Sequence, residues 1–245
     1  MHIVKLDRIT LLIITIITLA LLICPAYSED ETILLREDFN DLENWESLKF
    51  DKIEEHSVYT IVEEEGAYLK AESNASASGI VHRKEFNVYD HPKVRWRWKV
   101  SNVYQKGDAQ KKSGDDYPIR IYIMFKYDPD TASFGKMLKY GLAKKLYGKY
   151  PPHSSLNYIW ANRKHEKKVI ANSYASEAMM ILLQSGKENV GQWIEQEVDV
   201  LEDYRKAFGE DPPPFASLAV MNDSDNTKES AVSYVDYIDV YRIGE

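Results

Sequence analysis

The clearest pattern in the chain is a strict alternation. In Lys93–Val100, Val94, Trp96, Trp98 and Val100 fall on one side and Arg95, Arg97 and Lys99 on the other. Successive side chains of an extended backbone point to opposite faces, so a period of two predicts a half-buried strand. Residues 119–125 alternate likewise, with the Ile and Phe residues on one face and Arg120 and Tyr122 opposite. Shorter β-like runs, separated by turn residues, fall at 33–35, 58–62, 67–71, 79–84, 156–160, 168–173, 178–183, 193–200, 216–221 and 232–243. About a dozen strands with almost no helix predict an all-β, two-sheet, jelly-roll-like sandwich.

One segment changes period. Over 133–150, Phe134, Met137, Leu138, Gly141, Leu142 and Leu146 form a helical stripe, ended by Pro151 and Pro152. The same stretch carries Lys136, Lys139, Lys144, Lys145 and Lys149 and no acid. It reads as an amphipathic helix inserted at about 131–150. Packed on the sandwich it is a lid; undocked, its basic surface would contact anionic membranes. A short second helix is expected at 201–208, before Gly209 and Pro212.

The first 28 residues read differently. Lys5 and Arg8 precede an apolar run from 9 to 23, and Ala26-Tyr27-Ser28 offers small residues where a signal peptidase reads. The run is 15 residues, shorter than the ~20 needed to span a bilayer. Residues 1–28 are therefore expected to be a signal peptide, with a retained anchor as the alternative, and 29–245 a single exported domain, periplasmic or extracellular. The one cysteine, Cys24, leaves with the leader, so a core or a bound ion must hold the mature chain together without crosslinks. Net charge is -8 at pH 7, and losing the leader makes it about -9, which argues against nucleic acid as a partner.

At both ends of the mature chain, residues carry a family resemblance. Arg36-Glu37-Asp38-Phe39-Asn40 with Trp45 resembles the opening strand of galactose-binding-like jelly rolls, and 235–240 resembles their closing strand, as in several carbohydrate-binding modules. More specifically, the chain resembles the secreted bacterial family known as domain of unknown function 3047. The carrying residues are 96–100, Gly114-Asp115-Asp116, Arg120-Ile121-Tyr122, Tyr158-Ile159-Trp160, 198–200 and 221–227. The resemblance implies a sandwich and an envelope location, and no activity. In related jelly rolls a structural calcium joins the first and last strands, which makes Glu37, Asp38 and Asp236 candidate ligands. The alternative for Asp236 is a solvent-facing strand residue. No other cofactor is required.

The polar faces of the strands collect Arg97, Arg120 and Tyr122, with Asp116 just upstream and Asp199 on another alternating run. Mid-strand arginines are costly unless paired, so Arg97, Arg120, Asp116 and Asp199 are expected to converge. Such a network beside tyrosines suits sugars: planar donors for hydroxyls and rings for stacking. The other reading is a wet sheet face with cross-strand ion pairs. Tyr158 and Asp223 complete the candidate ligand-binding set, with Trp160 and Trp193 as stacking candidates and Trp96 and Trp98 assigned to the core. Residues 221–227 pack Asn222, Asp223, Asp225 and Asn226 together, as an Asx-rich turn or a hard-cation site.

The histidines lack metal-ligand spacing. There is no GxSxG motif, and no catalytic residue is assigned, although Asp116 with Asp199 or Glu197 with Asp223 are conceivable acid/base pairs. The function expected is a non-catalytic exported sandwich that binds a glycan or other envelope ligand. The alternatives are a glycan-active hydrolase or lyase on the same scaffold, and a membrane-docking interaction protein.

Overall fold

A computed structural model describes residues 30–64, 66–130 and 150–244, with Gly135, Met137 and Tyr140 between them. The chain divides into a body, Thr32–Arg242, and a second unit made of the chain ends. Of that second unit the described residues are Asp30, Glu31, Ile243 and Gly244, where the Gly244 N–H donates to the Asp30 carbonyl.

Among the described residues the architecture is two β-sheets and a nine-residue α-helix, and Gly135, Met137 and Tyr140 are helical too. The six-stranded sheet contains β1 (Glu31–Glu37), β3 (Val58–Glu63), β4 (Ala67–Asn74), β6 (Lys93–Val100), β11 (Ile194–Asp199) and β13 (Ser230–Ile243). Its order is β11-β6-β13-β4-β3, with β1 also on β13. The seven-stranded sheet contains β2 (Trp45–Leu48), β5 (Ala77–Asn87), β7 (Arg120–Phe125), β8 (Ser154–Ala161), β9 (Val169–Ala171), β10 (Ala178–Ser185) and β12 (Phe215–Asp223). Its order is β2-β5-β12-β7-β8-β10-β9. Apart from β10, which runs parallel to β8, the registered ladders are antiparallel. The chain passes repeatedly from one sheet to the other, giving a jelly-roll-like sandwich.

The alternation in β6 does what it predicts. Val94, Trp96, Trp98 and Val100 are fully buried between the sheets and meet Ile121, Ile123 and Phe125 of β7 in one core cluster. Tyr158 and Trp160, expected at a binding surface, are also fully buried; they lie 5.5 Å from Trp96 and 5.9 Å from Trp98 between ring centroids. In β8 every residue is buried because both faces are covered. On one side lies the sandwich core; on the other, the connection from β6 to β7 packs Ala109 and Tyr117 against Ile159, Ala161, Met180 and Leu182. That loop is pinned by Asn162, which accepts the Tyr104 N–H at 2.8 Å and donates to the Asp116 carbonyl at 2.6 Å.

The helix α1 (Val200–Phe208) follows β11 directly. Asp199 caps it, its Oδ1 accepting the Glu202 N–H at 2.8 Å, and Gly209 at φ 75° closes it. Tyr204 anchors it in the core, 4.5 Å from the Phe125 ring. Most of the inserted basic segment, and the proposed leader, lie outside the described residues. Tyr140, which is not part of the expected apolar stripe, is buried 4.4 Å from the Tyr127 ring, while Met137 of that stripe is exposed. No described helix is long and apolar enough to cross a membrane.

Candidate functional site

The outer face of the seven-stranded sheet carries the polar groups that the core excludes. Arg120 opens β7 and lies in register with Met221 of β12, and Asp223 follows on the same face two residues on. Arg120 Nε donates to Asp223 Oδ1 at 3.0 Å, and Nη2 donates to Asp223 Oδ2 and to the Asp115 carbonyl at 2.9 Å. The Tyr117 ring lies 4.5 Å from the guanidinium, and its N–H donates to Asp223 Oδ1 at 3.2 Å. Asp116 ties down the loop after β12. Its carboxylate accepts from Asn226 N–H at 3.2 Å, Asn226 Nδ2 at 2.9 Å and Thr227 N–H at 2.5 Å.

Burial pushes the Asp223 carboxyl up, to about 8; Arg120 opposes this, and Asp116 and Asp115 add to it. Burial also works against the charge on Arg120, but Asp223 above all holds its pKa well above the ordinary value. Burial, then Asp116, raises Asp225.

Asp115, Arg120, Asp223 and Asp225 line a cleft of about 940 Å³, rimmed by the loop after β2, the β9–β10 connection and the loop after β12. Phe50, Tyr122 and Tyr174 bring rings to it, and Asn157, Asn172 and Asn226 bring amides. Tyr174 is 58% exposed, yet its hydroxyl lies 2.8 Å from Asn226 Oδ1 and 3.0 Å from the Lys112 carbonyl. Its N–H donates to Asn172 Oδ1, and Asn172 Nδ2 donates to Asp115 Oδ2, both at 2.8 Å. An exposed ring is thus held in a fixed orientation by a chain of bonds leading back to the buried ion pair.

Of the sequence-predicted residues, Asp116, Arg120, Tyr122 and Asp223 come together. Arg97 on β6 and Asp199 on β11 do not join them, because both strands belong to the six-stranded sheet, and Tyr158, although on β8 beside β7, turns into the core. Arg97 lies half-exposed on the outside of the six-stranded sheet, paired with Asp236 at 2.9 Å and 5.1 Å from the Trp193 ring. Tyr158 donates from inside the core to Asp203 Oδ2 at 3.0 Å, and Asp199 caps α1 and meets Lys93 at 3.3 Å. The conceivable acid/base pairs are separated in the same way, since Glu197 pairs in register with Arg95 on the six-stranded sheet.

The expected calcium ligands each hold protein partners. Glu37 accepts from Phe39 N–H at 2.8 Å and the Trp45 indole at 2.9 Å, Asp38 pairs with Arg36 at 2.9 Å, and Asp236 holds Arg97. The first and last strands are joined instead by Asp239, fully buried between Arg36 at 3.2 Å and Arg95 at 2.9 Å. Sequence reasoning missed Phe50 and Tyr174, which stand in connections with no periodicity, and Asn172, which falls in the expected 168–173 run but lies just past β9.

Comparison with solved structures returns sugar-associated sandwiches at low similarity. The family 11 carbohydrate-binding module of the cellulase Lic26A-Cel5E of Clostridium thermocellum is 12% identical over 88% of this chain and 97% of that chain, with a TM-score of 0.43. Winged bean acidic lectin, complexed with methyl-α-D-galactose, is 7% identical over 88% and 100%, at 0.40. The xyloglucanase domain of NopAA from Sinorhizobium fredii is 6% identical over 82% and 100%, at 0.43. Likenesses this distant carry no ligand or activity to this chain. No curated protein matches in sequence. Residues 43–239 match the model of the family described as Protein of unknown function (DUF3047), and the chain belongs to that family.

Proposed function

We propose that the protein is exported by cleavage after Ser28 and binds a glycan in the cleft on the outer face of the seven-stranded sheet. The observation that carries this reading is Tyr174: a ring open to solvent whose hydroxyl and backbone are both fixed. A stacking platform works best when its orientation costs nothing at binding, because ordering a mobile side chain subtracts from affinity. Phe50 and Tyr122 extend the apolar surface, and the amides and Arg120 supply fixed polar groups. The hydrolase reading would draw on the raised Asp223 carboxyl. It is the weaker of the two, because Arg120 engages both Asp223 oxygens and competes with a proton for them. A glycan array probed with the purified protein identifies the ligand class, and failure to retain any glycan on such an array counts against the proposal.

A further inference from the structure

Asp115, Asp223 and Asp225 line the cleft with Arg120, and Asp116 lies beside the last two of these acids. Asp116, Asp223 and Asp225 each place an oxygen within 4.8 Å of the other two. Asp115 adds a fourth, with its Oδ1 3.7 Å from Arg120 Nη1. Arg120 compensates one of these charges, and Asp116 and Asp223 are almost wholly out of solvent. Buried negative charge in this excess is costly unless a cation or a proton joins it.

A second observation points the same way. Asp115 is only 5% exposed; Asn172 donates to its Oδ2, and its buried Oδ1 has no hydrogen bond and faces Arg120 Nη1 at 3.7 Å, an ion-pair contact. The Thr227 hydroxyl oxygen, on the residue whose N–H donates to Asp116, is also buried without a partner. Buried polar atoms are almost always satisfied, by protein, water or an ion. The atoms on offer here are all hard oxygens, with no imidazole or thiolate among them, which selects calcium over zinc or copper. The Oδ1 atoms of Asp116 and Asp223 each already accept two donors, but each Oδ2 accepts one and keeps a lone pair with which to ligate an ion.

We propose that Asp116, Asp223 and Asp225 hold a calcium ion that locks the loop entering β7 to the loop leaving β12. This proposal rests on the acid geometry and does not depend on glycan binding. The test is thermal unfolding of the chelator-stripped protein with and without calcium, alongside terbium luminescence sensitised by the nearby tyrosines. Saturating calcium should raise Tm by about 5 °C or more, and calcium should displace terbium far better than magnesium does. Asp225→Asn should abolish the calcium shift, whereas Asp38→Asn, which alters an acid beside Arg36, should leave it intact. The absence of a Tm shift and of terbium emission would overturn the proposal. So would a shift that survives Asp225→Asn, or magnesium acting as well as calcium. If Asp225→Asn fails to fold, the wild-type displacement titration decides alone.

Discussion

Asn162 occupies the space that a side chain at Gly107 would need. A Cβ on Gly107 would lie 2.1 Å from Asn162 Nδ2 and 2.4 Å from its Cγ. The same Asn162 amide holds Tyr104 N–H and the Asp116 carbonyl, so the glycine allows the loop that delivers Asp115 and Asp116 to be clamped from below.

Gly107→Ala should therefore push Asn162 off both partners and destabilise the fold by roughly 1–3 kcal/mol. Chemical denaturation measures this. A change within about 0.5 kcal/mol would show that the clamp is dispensable.

The Arg120–Asp223 pair should behave as a buried pair does. Removing either partner alone, as Arg120→Met or Asp223→Asn, leaves a polar group or charge stranded and should cost roughly 3–5 kcal/mol. The double variant should cost less than the sum of the two. Additive losses in this double-mutant cycle would mean the two side chains are not coupled.

His82 should make stability fall in mild acid. Its ring packs edge-on against Trp45 at 5.0 Å, its Nδ1 accepts the Lys84 N–H at 3.1 Å, and burial lowers its pKa below the ordinary 6.5. The unfolded chain then takes up the proton first. The stability that neutral His82 contributes is full above about pH 6.5 and lost as pH falls through the lower folded value. Glu37, whose pKa burial raises, sits 3.8 Å away and works in the opposite direction at lower pH, so the informative quantity is a difference between proteins. Between pH 7.5 and 5.5, His82→Phe should flatten the Tm profile relative to the parent. Identical slopes would remove His82 as the cause.

Export is checked by the intact mass of the protein released by its host, which should begin at Glu29. A released chain that retains residues 1–28 would contradict cleavage at Ser28.

The sandwich was legible because alternation is a local consequence of strand geometry. Val94, Trp96, Trp98 and Val100 announce a buried face without reference to any other segment. The four-residue β2 was not visible, since Trp45-Glu-Ser-Leu is too short to show a period and acquires its pairing only from β5. Half of the site was legible for the same reason. Arg120 and Tyr122 share a face by counting, but counting cannot say which sheet a strand joins. Arg97 has the same local pattern as Arg120 and ends on the opposite outside surface. Tyr174 owes its role to partners at Lys112 and Asn226, which lie far from it in sequence.

The most direct test of the central claim is calorimetric titration with the glycan that the array selects, comparing Tyr174→Ala with Trp193→Ala. Trp193 is a partly exposed ring too, but it lies beside Arg97 and Lys99 on the six-stranded sheet, away from the cleft. Loss of a stacking platform should weaken binding by about 10-fold or more in Tyr174→Ala, while Trp193→Ala binds as the parent does. Unchanged affinity in Tyr174→Ala, or a loss confined to Trp193→Ala, would contradict the placement of the binding site in this cleft.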